Sequence, residues 1–166
     1  MFDRLGWEHH YEPYDLSGWI PDFVITGNGP DLLVEVKPTF DFYKRIGEKI
    51  YNSGAVHEAL FLFAGLRKPE GFRQGATPGY LAEDFRWLQD HPETQDAPDW
   101  CWGPAVFVVD RREGARYDII HGEQNFDCRV HGGHMYGDPP WDIAPMDEIA
   151  ALWADAGNTV QYRKPK

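Results

Sequence analysis

The sequence predicts a single α/β domain with a mixed central sheet and flanking helices. Its 166 residues suffice to bury one sizeable core and are too few for two domains of ordinary size. Apolar residues make up 42% of the chain and aromatic residues 15%, far above the composition of a disordered chain. Near the start of the chain, segments with the composition of strands are interrupted once by a segment with the period of a helix. The predicted order of elements there is strand, strand, strand, helix, strand.

The first three strands are predicted at residues 8–14, 19–26 and 32–37. Between the second and the third lies Gly-Asn-Gly-Pro, a run of residues that favours a turn. This spacing indicates a β-hairpin.

A helix and a buried strand are predicted next. Apolar residues recur at helical spacing over residues 42–53, with Asp41 expected to cap this helix and Gly54 to end it. Residues 59–64, Ala-Leu-Phe-Leu-Phe-Ala, form an apolar run without alternation, which is typical of a strand covered on both faces.

Residues 66–103 are expected to be an insertion, because periodicity is lost there apart from a short helix predicted at 80–88. We therefore expect the core to comprise about residues 7–64 and 104–121 of a single domain that spans residues 1–166.

Two further strands and a helix are predicted in the last part of the chain. The strands are expected at 105–109 and 117–120 as a second hairpin. The helix is expected at 145–156, where a proline stands at the start, acidic residues occupy the first turn and Gly157 lies just past the end.

Charge and composition argue against several kinds of interaction. The 27 acidic and 16 basic side chains give a net charge of −11, which opposes non-specific attraction to membranes and nucleic acids. No apolar run approaches the roughly 20 residues that cross a bilayer, and the first residues lack the basic and apolar regions of a secretory signal. Two cysteines, Cys101 and Cys128, cannot form a disulfide framework. We expect a cytoplasmic protein with no membrane partner.

Three charged side chains are predicted to converge on the first hairpin. If Asp22 lies opposite Glu35 in an antiparallel pair, Phe23 lies opposite Val34 and the turn keeps a permitted length. Alternation then places the apolar side chains on one face, while Asp22, Glu35 and Lys37 emerge together on the other.

Two carboxylates beside an ammonium group have a specific chemical use. Mg²⁺ takes oxygen ligands and commonly only one or two protein carboxylates, so Asp22, Glu35 and the backbone carbonyl of Val36 would suffice to hold it. A bound metal lowers the pKa of a water and offsets charge on a phosphate, and Lys37 would orient that water or offset the same charge. The pattern therefore predicts phosphodiester hydrolysis.

These motifs resemble those of the PD-(D/E)XK nuclease superfamily over about residues 2–64. The residues that carry the resemblance are Pro21-Asp22 and Glu35-Val36-Lys37, flanked by Tyr11-Glu12-Pro13 and Trp19. The superfamily core runs helix, three strands, helix, strand, which is similar to the order predicted above.

The resemblance implies a restriction-endonuclease-like fold and a Mg²⁺- or Mn²⁺-dependent nuclease that acts on nucleic acid, with DNA the expected substrate. By the same resemblance, Asp22 and Glu35 are the metal ligands and Lys37 is the catalytic lysine. One departure is that the first helix of the core, which often bears a glutamate facing the metal, is expected to be largely missing here. Glu12 and Glu8 are the candidates for that additional acid.

The predicted helix after Lys37 carries Lys44, Arg45 and Lys49, which we expect to contact the phosphate backbone of a substrate. The alternative for these three residues is an ordinary solvated helix face. Trp100 and Trp102 could stack on bases, but the favoured interpretation is that they pin a long loop to the core.

A zinc site at Cys128, His131 and His134 is the less favoured interpretation of that run, because it lacks paired Cys-x-x-Cys spacing. A glycine-rich loop with incidental histidines is preferred.

Two other functions remain open. The chain could be a catalytically inactive binding or scaffold protein with a nuclease fold, or an acidic mimic of nucleic acid that inhibits a basic partner. A homodimer or a partner protein is compatible with either activity or scaffolding.

Overall fold

A computed structural model of the chain describes residues 1–12, 15–39, 41–55, 57–67, 76–82, 101–123, 126–137 and 141–159. The helices described in these ranges are α1 (Phe2–Leu5), α2 (Lys44–Asn52) and α3 (Met146–Thr159). The strands are β1 (His9–Tyr11), β2 (Phe23–Ile25), β3 (Leu32–Val36), β4 (Glu58–Arg67), β5 (Thr77–Ala82), β6 (Trp102–Asp110), β7 (Arg116–His121) and β8 (Asp142–Ile143).

The strands form one mixed, mostly antiparallel, open sheet. Its order follows the chain from β1 to β7, and β8 pairs with β6. Strands β3 and β4 are parallel and are connected through α2, whereas the other paired strands are antiparallel. The predicted α/β class and the order strand, strand, strand, helix, strand are confirmed.

The predicted register of the first hairpin is also confirmed. Phe23 lies opposite Val34, and Ile25 lies opposite Leu32. This register matters because it decides which side chains of β2 and β3 share a face.

The segment expected to be an insertion contributes a strand to the middle of the sheet. β5 lies between β4 and β6. The short helix predicted at 80–88 is therefore wrong for residues 80–82, which belong to β5. Residues 83–100 lie outside the described part of the chain. Pro78 and Gly79 hid this strand from the sequence pattern, since both are unfavourable inside strands. The ladder shifts its register between Leu62 and Arg67, and a side chain at Gly79 would meet the carbonyl oxygen of Phe61.

Two predicted helix boundaries are wrong. Tyr43, not Asp41, is the N-cap of α2, because the Asp41 carboxylate pairs instead with Arg67 at 3.1 Å. Helix α3 continues through Gly157 to Thr159, since one glycine costs only about 1 kcal/mol relative to alanine and does not by itself end a helix.

Both faces of the sheet are covered, so the core extends beyond the predicted ranges. On one face, Phe2 of α1 and Ile149 of α3 join a buried cluster with Leu60, Phe107 and Ile119. Removing such side chains from water is the main favourable contribution to folding.

The opposite face carries two separate clusters. Near β3 and β4, Ile50 of α2 packs in a buried cluster with Leu33 and Phe61. Near β6 and β7, the segment around Cys128 covers the sheet, and the carboxylate of Asp118 accepts the backbone N–H of Val130 at 2.9 Å.

None of the helices in the described ranges is long and apolar enough to cross a membrane.

Buried His121 should make stability depend on pH. Burial lowers the pKa of His121 from its ordinary 6.5 to about 4, with the positive charge of Arg129 contributing. The unfolded chain therefore binds the proton more tightly than the folded chain does. The contribution of neutral His121 to the unfolding free energy is fully present above about pH 6.5 and is lost as the pH falls toward 4. The loss should amount to about 3 kcal/mol of unfolding free energy.

Urea unfolding of the wild type and of His121→Gln at a series of pH values measures this contribution, since other groups titrate in both proteins. We expect the difference in unfolding free energy between the two to shrink by about 3 kcal/mol from pH 7 to pH 4. A difference that does not change with pH would contradict it.

Candidate active site

The first hairpin brings together Asp22, Glu35 and Lys37. Asp22 directly precedes β2, Glu35 lies within β3 and Lys37 follows β3. Because Phe23 pairs with Val34, the same register places Asp22 opposite Glu35. Asp22 is fixed there, since its Oδ2 accepts the backbone N–H of Val36 at 2.7 Å.

Glu35 is a buried carboxylate with a partner on each oxygen. It is 3% exposed. Its Oε1 lies 2.6 Å from Nζ of Lys37, and its Oε2 accepts the indole N–H of Trp19 at 2.9 Å. A buried carboxylate is tolerated only when it is paired and hydrogen-bonded, and both conditions are met here. The two contacts therefore fix the orientation of the side chain.

Trp19 is the site residue whose role sequence analysis missed. The sequence pattern identifies it only as a flank of the motif, yet it is buried and its indole N–H donates to Glu35. A tight turn places it, because Leu16 and Trp19 form an isolated bridge and Gly18 between them has φ of 91°. Glycine adopts that conformation without steric cost. The available signal was this Gly-Trp pair just before Pro21-Asp22.

The face that carries Glu35 is less polar than the alternation predicted. Val24 and Leu33 share a buried cluster with Trp19 on that side, where α2 covers the sheet. The three charged residues therefore lie at the margin of an apolar layer, near the ends of β2 and β3. The backbone of Lys37 is held at this margin, because its backbone N–H donates a hydrogen bond to the carbonyl oxygen of Leu62 at 3.0 Å.

Glu12 and Glu8, the two candidates for an additional acid, lie at opposite ends of β1. Glu12 follows β1, and its N–H donates to the carbonyl of Asp22 at 3.1 Å. Glu8 lies at the other end of β1, where its carbonyl accepts the N–H of Thr26. Of the two, Glu12 is thus the residue brought to Asp22.

Glu12 has an unusual backbone conformation. Its φ is 42°, in the left-handed region that residues other than glycine rarely occupy. Its carboxylate accepts a hydrogen bond from the Tyr11 hydroxyl, and this bond, together with the negative charge of Glu12, raises the pKa of Tyr11. Strained backbone of this kind is enriched at functional sites, which makes Glu12 a candidate member of this one.

The oxygen atoms of the site are of the kind that a hard divalent cation takes. Mg²⁺ commonly binds one or two protein carboxylates and keeps its other positions for water and phosphate, and the register places the two carboxylates of Asp22 and Glu35 opposite each other. The carbonyl oxygen of Val36 is available as a third metal ligand. The register places Val36 opposite Pro21, and proline has no N–H that could donate a hydrogen bond to this oxygen. In the described ranges, no group of three or more His, Cys, Asp or Glu side chains is placed to hold a metal ion.

The basic residues of α2 lie outside the covered layer. Lys44, Arg45 and Lys49 are exposed, while Ile50 of the same helix packs beneath them with Trp19. Arg45 and Lys49 are four residues apart and so lie on one side of the helix. They therefore face solvent on the helix that covers the Glu35 side of the sheet.

The residues considered for zinc have other surroundings. Cys128 is buried, and burial raises the pKa of its thiol, which opposes the thiolate form that zinc requires. The ring of His131 stacks on Trp141, with centroids 6.3 Å apart, whereas His134 is exposed and contacts Tyr136.

Trp102 cannot serve as a base-stacking platform. It is buried, and its ring lies 5.0 Å from that of Phe42, next to α2. It pins this part of the chain to the core, as the favoured interpretation expected, and Trp100 lies outside the described residues.

Comparison of the chain with protein-family models, with curated proteins and with solved structures finds no match.

The bond from Trp19 to Glu35 should cost more to remove than an equivalent bond to a neutral acceptor. Trp7 is the matched control, because it is equally buried and its indole N–H donates to the carbonyl of Tyr117, also at 2.9 Å. We expect Trp19→Phe to lower the unfolding free energy by at least about 1 kcal/mol more than Trp7→Phe, since bonds to charged groups are stronger.

Urea unfolding followed by far-ultraviolet circular dichroism measures both losses. In a Glu35→Gln background the excess cost of Trp19→Phe should shrink. Equal losses for the two variants in the wild-type background would show that the indole does not hold a charged carboxylate.

Proposed function

We propose that the protein is a divalent-metal-dependent nuclease that hydrolyses phosphodiester bonds of DNA. The observation that carries the proposal is the convergence of Asp22, Glu35 and Lys37 beside the carbonyl of Val36. Further support comes from the order α1, β1, β2, β3, α2, β4, which is that of PD-(D/E)XK nucleases, the superfamily whose motifs this sequence resembles.

In this function Asp22, Glu35 and the Val36 carbonyl hold Mg²⁺ or Mn²⁺. When bound, the metal lowers the pKa of a coordinated water and offsets negative charge on the phosphate. Asp22 is already fixed by the N–H of Val36, and Glu35 by Trp19, so little reorganisation of the ligands is needed.

Lys37 acts on the reacting groups. Its side chain is 36% exposed although its Nζ contacts Glu35, so the ammonium group reaches both the carboxylate and the solvent side of the site. It donates a hydrogen bond to a phosphate oxygen or to the attacking water. Water then adds to phosphorus and gives up one proton to solvent, the ester P–O bond breaks, and the departing oxygen takes up a proton from solvent.

Glu12 is the additional acid in this proposal, because its backbone is hydrogen-bonded to that of Asp22. It takes the role of the glutamate that the first helix supplies in the superfamily, since none of the residues of α1 (Phe2–Leu5) is a glutamate. Lys44, Arg45 and Lys49 guide the phosphate backbone along α2.

Substitution at the site should abolish cleavage while the protein stays folded. With Mg²⁺ or Mn²⁺, we expect Asp22→Asn and Lys37→Gln to cut labelled DNA at least about 100-fold more slowly than the wild type, and EDTA to stop cleavage by all of them. The measurement is the initial rate of cleavage of single-stranded and duplex DNA on denaturing gels.

Asp142→Asn is the matched control for the lost charge, because Asp142 is exposed on β8 and pairs with β6 far along the sheet from β2. It should cut at the wild-type rate. If wild-type protein cuts nothing with either metal, or if Asp22→Asn cuts as fast as Asp142→Asn, the protein is not a nuclease of this type.

A further inference from the structure

The two oxygen atoms of the Glu35 carboxylate are both engaged by neighbouring side chains. Oε1 lies 2.6 Å from Nζ of Lys37, and Oε2 accepts the indole N–H of Trp19 at 2.9 Å. Glu35 is 3% exposed, so little of its carboxylate faces solvent. A cation that binds Glu35 must therefore take the place of the ammonium group at Oε1 or the place of the indole at Oε2.

The contact to Trp19 is the more rigid of the two. Trp19 is 1% exposed, and it packs in the buried cluster that includes Leu33 and Ile50. Moving this indole would disrupt a close-packed core. The side chain of Lys37 is 36% exposed and flexible, so it can turn toward solvent while the core stays packed. Oε1 is therefore the oxygen of Glu35 that a cation can reach.

Oε1 cannot serve an ammonium group and a metal ion together. An ion about 2.1 Å from this oxygen and an ammonium group at hydrogen-bond distance from it would lie at most about 5 Å apart. Both are positively charged, and their repulsion is stronger in a partly buried site than in water. One of the two must leave Oε1 when the other binds.

The buried carboxylate needs a positive charge beside it in either arrangement. An unpaired charge at Glu35 would be strongly destabilising, and Lys37 supplies the opposite charge. A divalent cation at Oε1 would supply it instead. The ammonium group would then be released at the margin of the apolar layer, where the backbone of Lys37 stays bonded to the carbonyl of Leu62. A phosphate bound to the same cation would give the ammonium group a new anionic partner.

We infer that the ion pair of Lys37 with Glu35 and the binding of a metal ion at Oε1 of Glu35 exclude each other. Lys37 neutralises the carboxylate until a divalent cation takes its place, and only then does its ammonium group turn toward the substrate phosphate. This inference rests on the proposed function and specifies how the same site is regulated, with the metal ion bringing Lys37 into use.

Acetylation of lysine side chains measures the release of Lys37 in the wild-type protein. The protein is treated briefly with acetic anhydride in EDTA or in Mg²⁺, and mass spectrometry gives the acetylated fraction at each lysine. We expect Mg²⁺ to raise the rate at Lys37 at least about threefold, because an amine held by a carboxylate reacts more slowly than a released one. Lys49 is the internal control, since it is exposed on α2, and its rate should not change.

Asp22→Asn tests whether the change at Lys37 comes from the proposed metal site. This variant lacks one of the two carboxylates but keeps the ion pair of Lys37 with Glu35. We expect Mg²⁺ to leave the acetylation rate of Lys37 unchanged in Asp22→Asn.

Two substitutions at Lys37 test the competition by metal affinity. Lys37→Met removes the ammonium group but keeps a long flexible side chain, so it should bind Mn²⁺ at least about tenfold more tightly than the wild type. Lys37→Arg keeps the positive charge and should bind Mn²⁺ no more tightly than the wild type. The measurement is a titration in which electron paramagnetic resonance reports the free Mn²⁺. The acetylation experiment decides the question even if Lys37→Met does not fold, because it uses the wild type.

Equal acetylation of Lys37 in EDTA and in Mg²⁺ would overturn the inference, while metal-dependent cleavage would still support the nuclease. Equal Mn²⁺ affinities of the wild type and Lys37→Met, or equal gains in Lys37→Met and Lys37→Arg, would overturn it as well. If the protein neither binds Mn²⁺ nor cuts DNA, the proposed function itself is wrong.

Discussion

The buried carboxylate of Glu35 is the constraint on which the candidate site depends. A negative charge removed from water needs partners, and here Trp19 and Lys37 each take one oxygen. Meeting this need requires the tight turn at Gly18, which brings the indole inward, and a β3 that ends just before Lys37. The geometry that stabilises a buried charge is therefore the same geometry that gathers the groups proposed for catalysis.

The parallel pairing of β3 and β4 determines where this site lies. A parallel connection needs a crossover, and α2 supplies it by passing over the face that carries Glu35. The chain must leave the sheet at the carboxyl end of β3 to begin that crossover. Lys37 thus stands at the edge where ligands commonly bind in sheets with parallel strands, and the basic side chains of α2 follow directly.

Local patterns predicted much of this arrangement, because strand composition and turn residues act over short distances. They gave the order of elements up to β4 and the pairing of Phe23 with Val34. Strand β5 was not predicted, because proline and glycine, here Pro78 and Gly79, are tolerated in a strand only where the ladder is irregular and the backbones approach closely. The contact of Trp19 with Glu35 was not predicted either, since the alternating pattern predicts a polar, solvent-exposed face wherever a charged residue lies. The positive φ of Glu12 was not predicted either, since residues other than glycine rarely adopt it and no turn residue marks this position.

Location of a bound metal would test the central claim most directly. Crystals soaked in Mn²⁺ would show the ion by its anomalous scattering, independently of any substrate. We expect one ordered ion about 2.1 Å from carboxylate oxygens of Asp22 and Glu35 and from the carbonyl of Val36. Such an ion should be missing in Asp22→Asn crystals. An empty hairpin in the wild type, or an ion bound only near Cys128 and His134, would contradict the assignment of this hairpin as the metal centre.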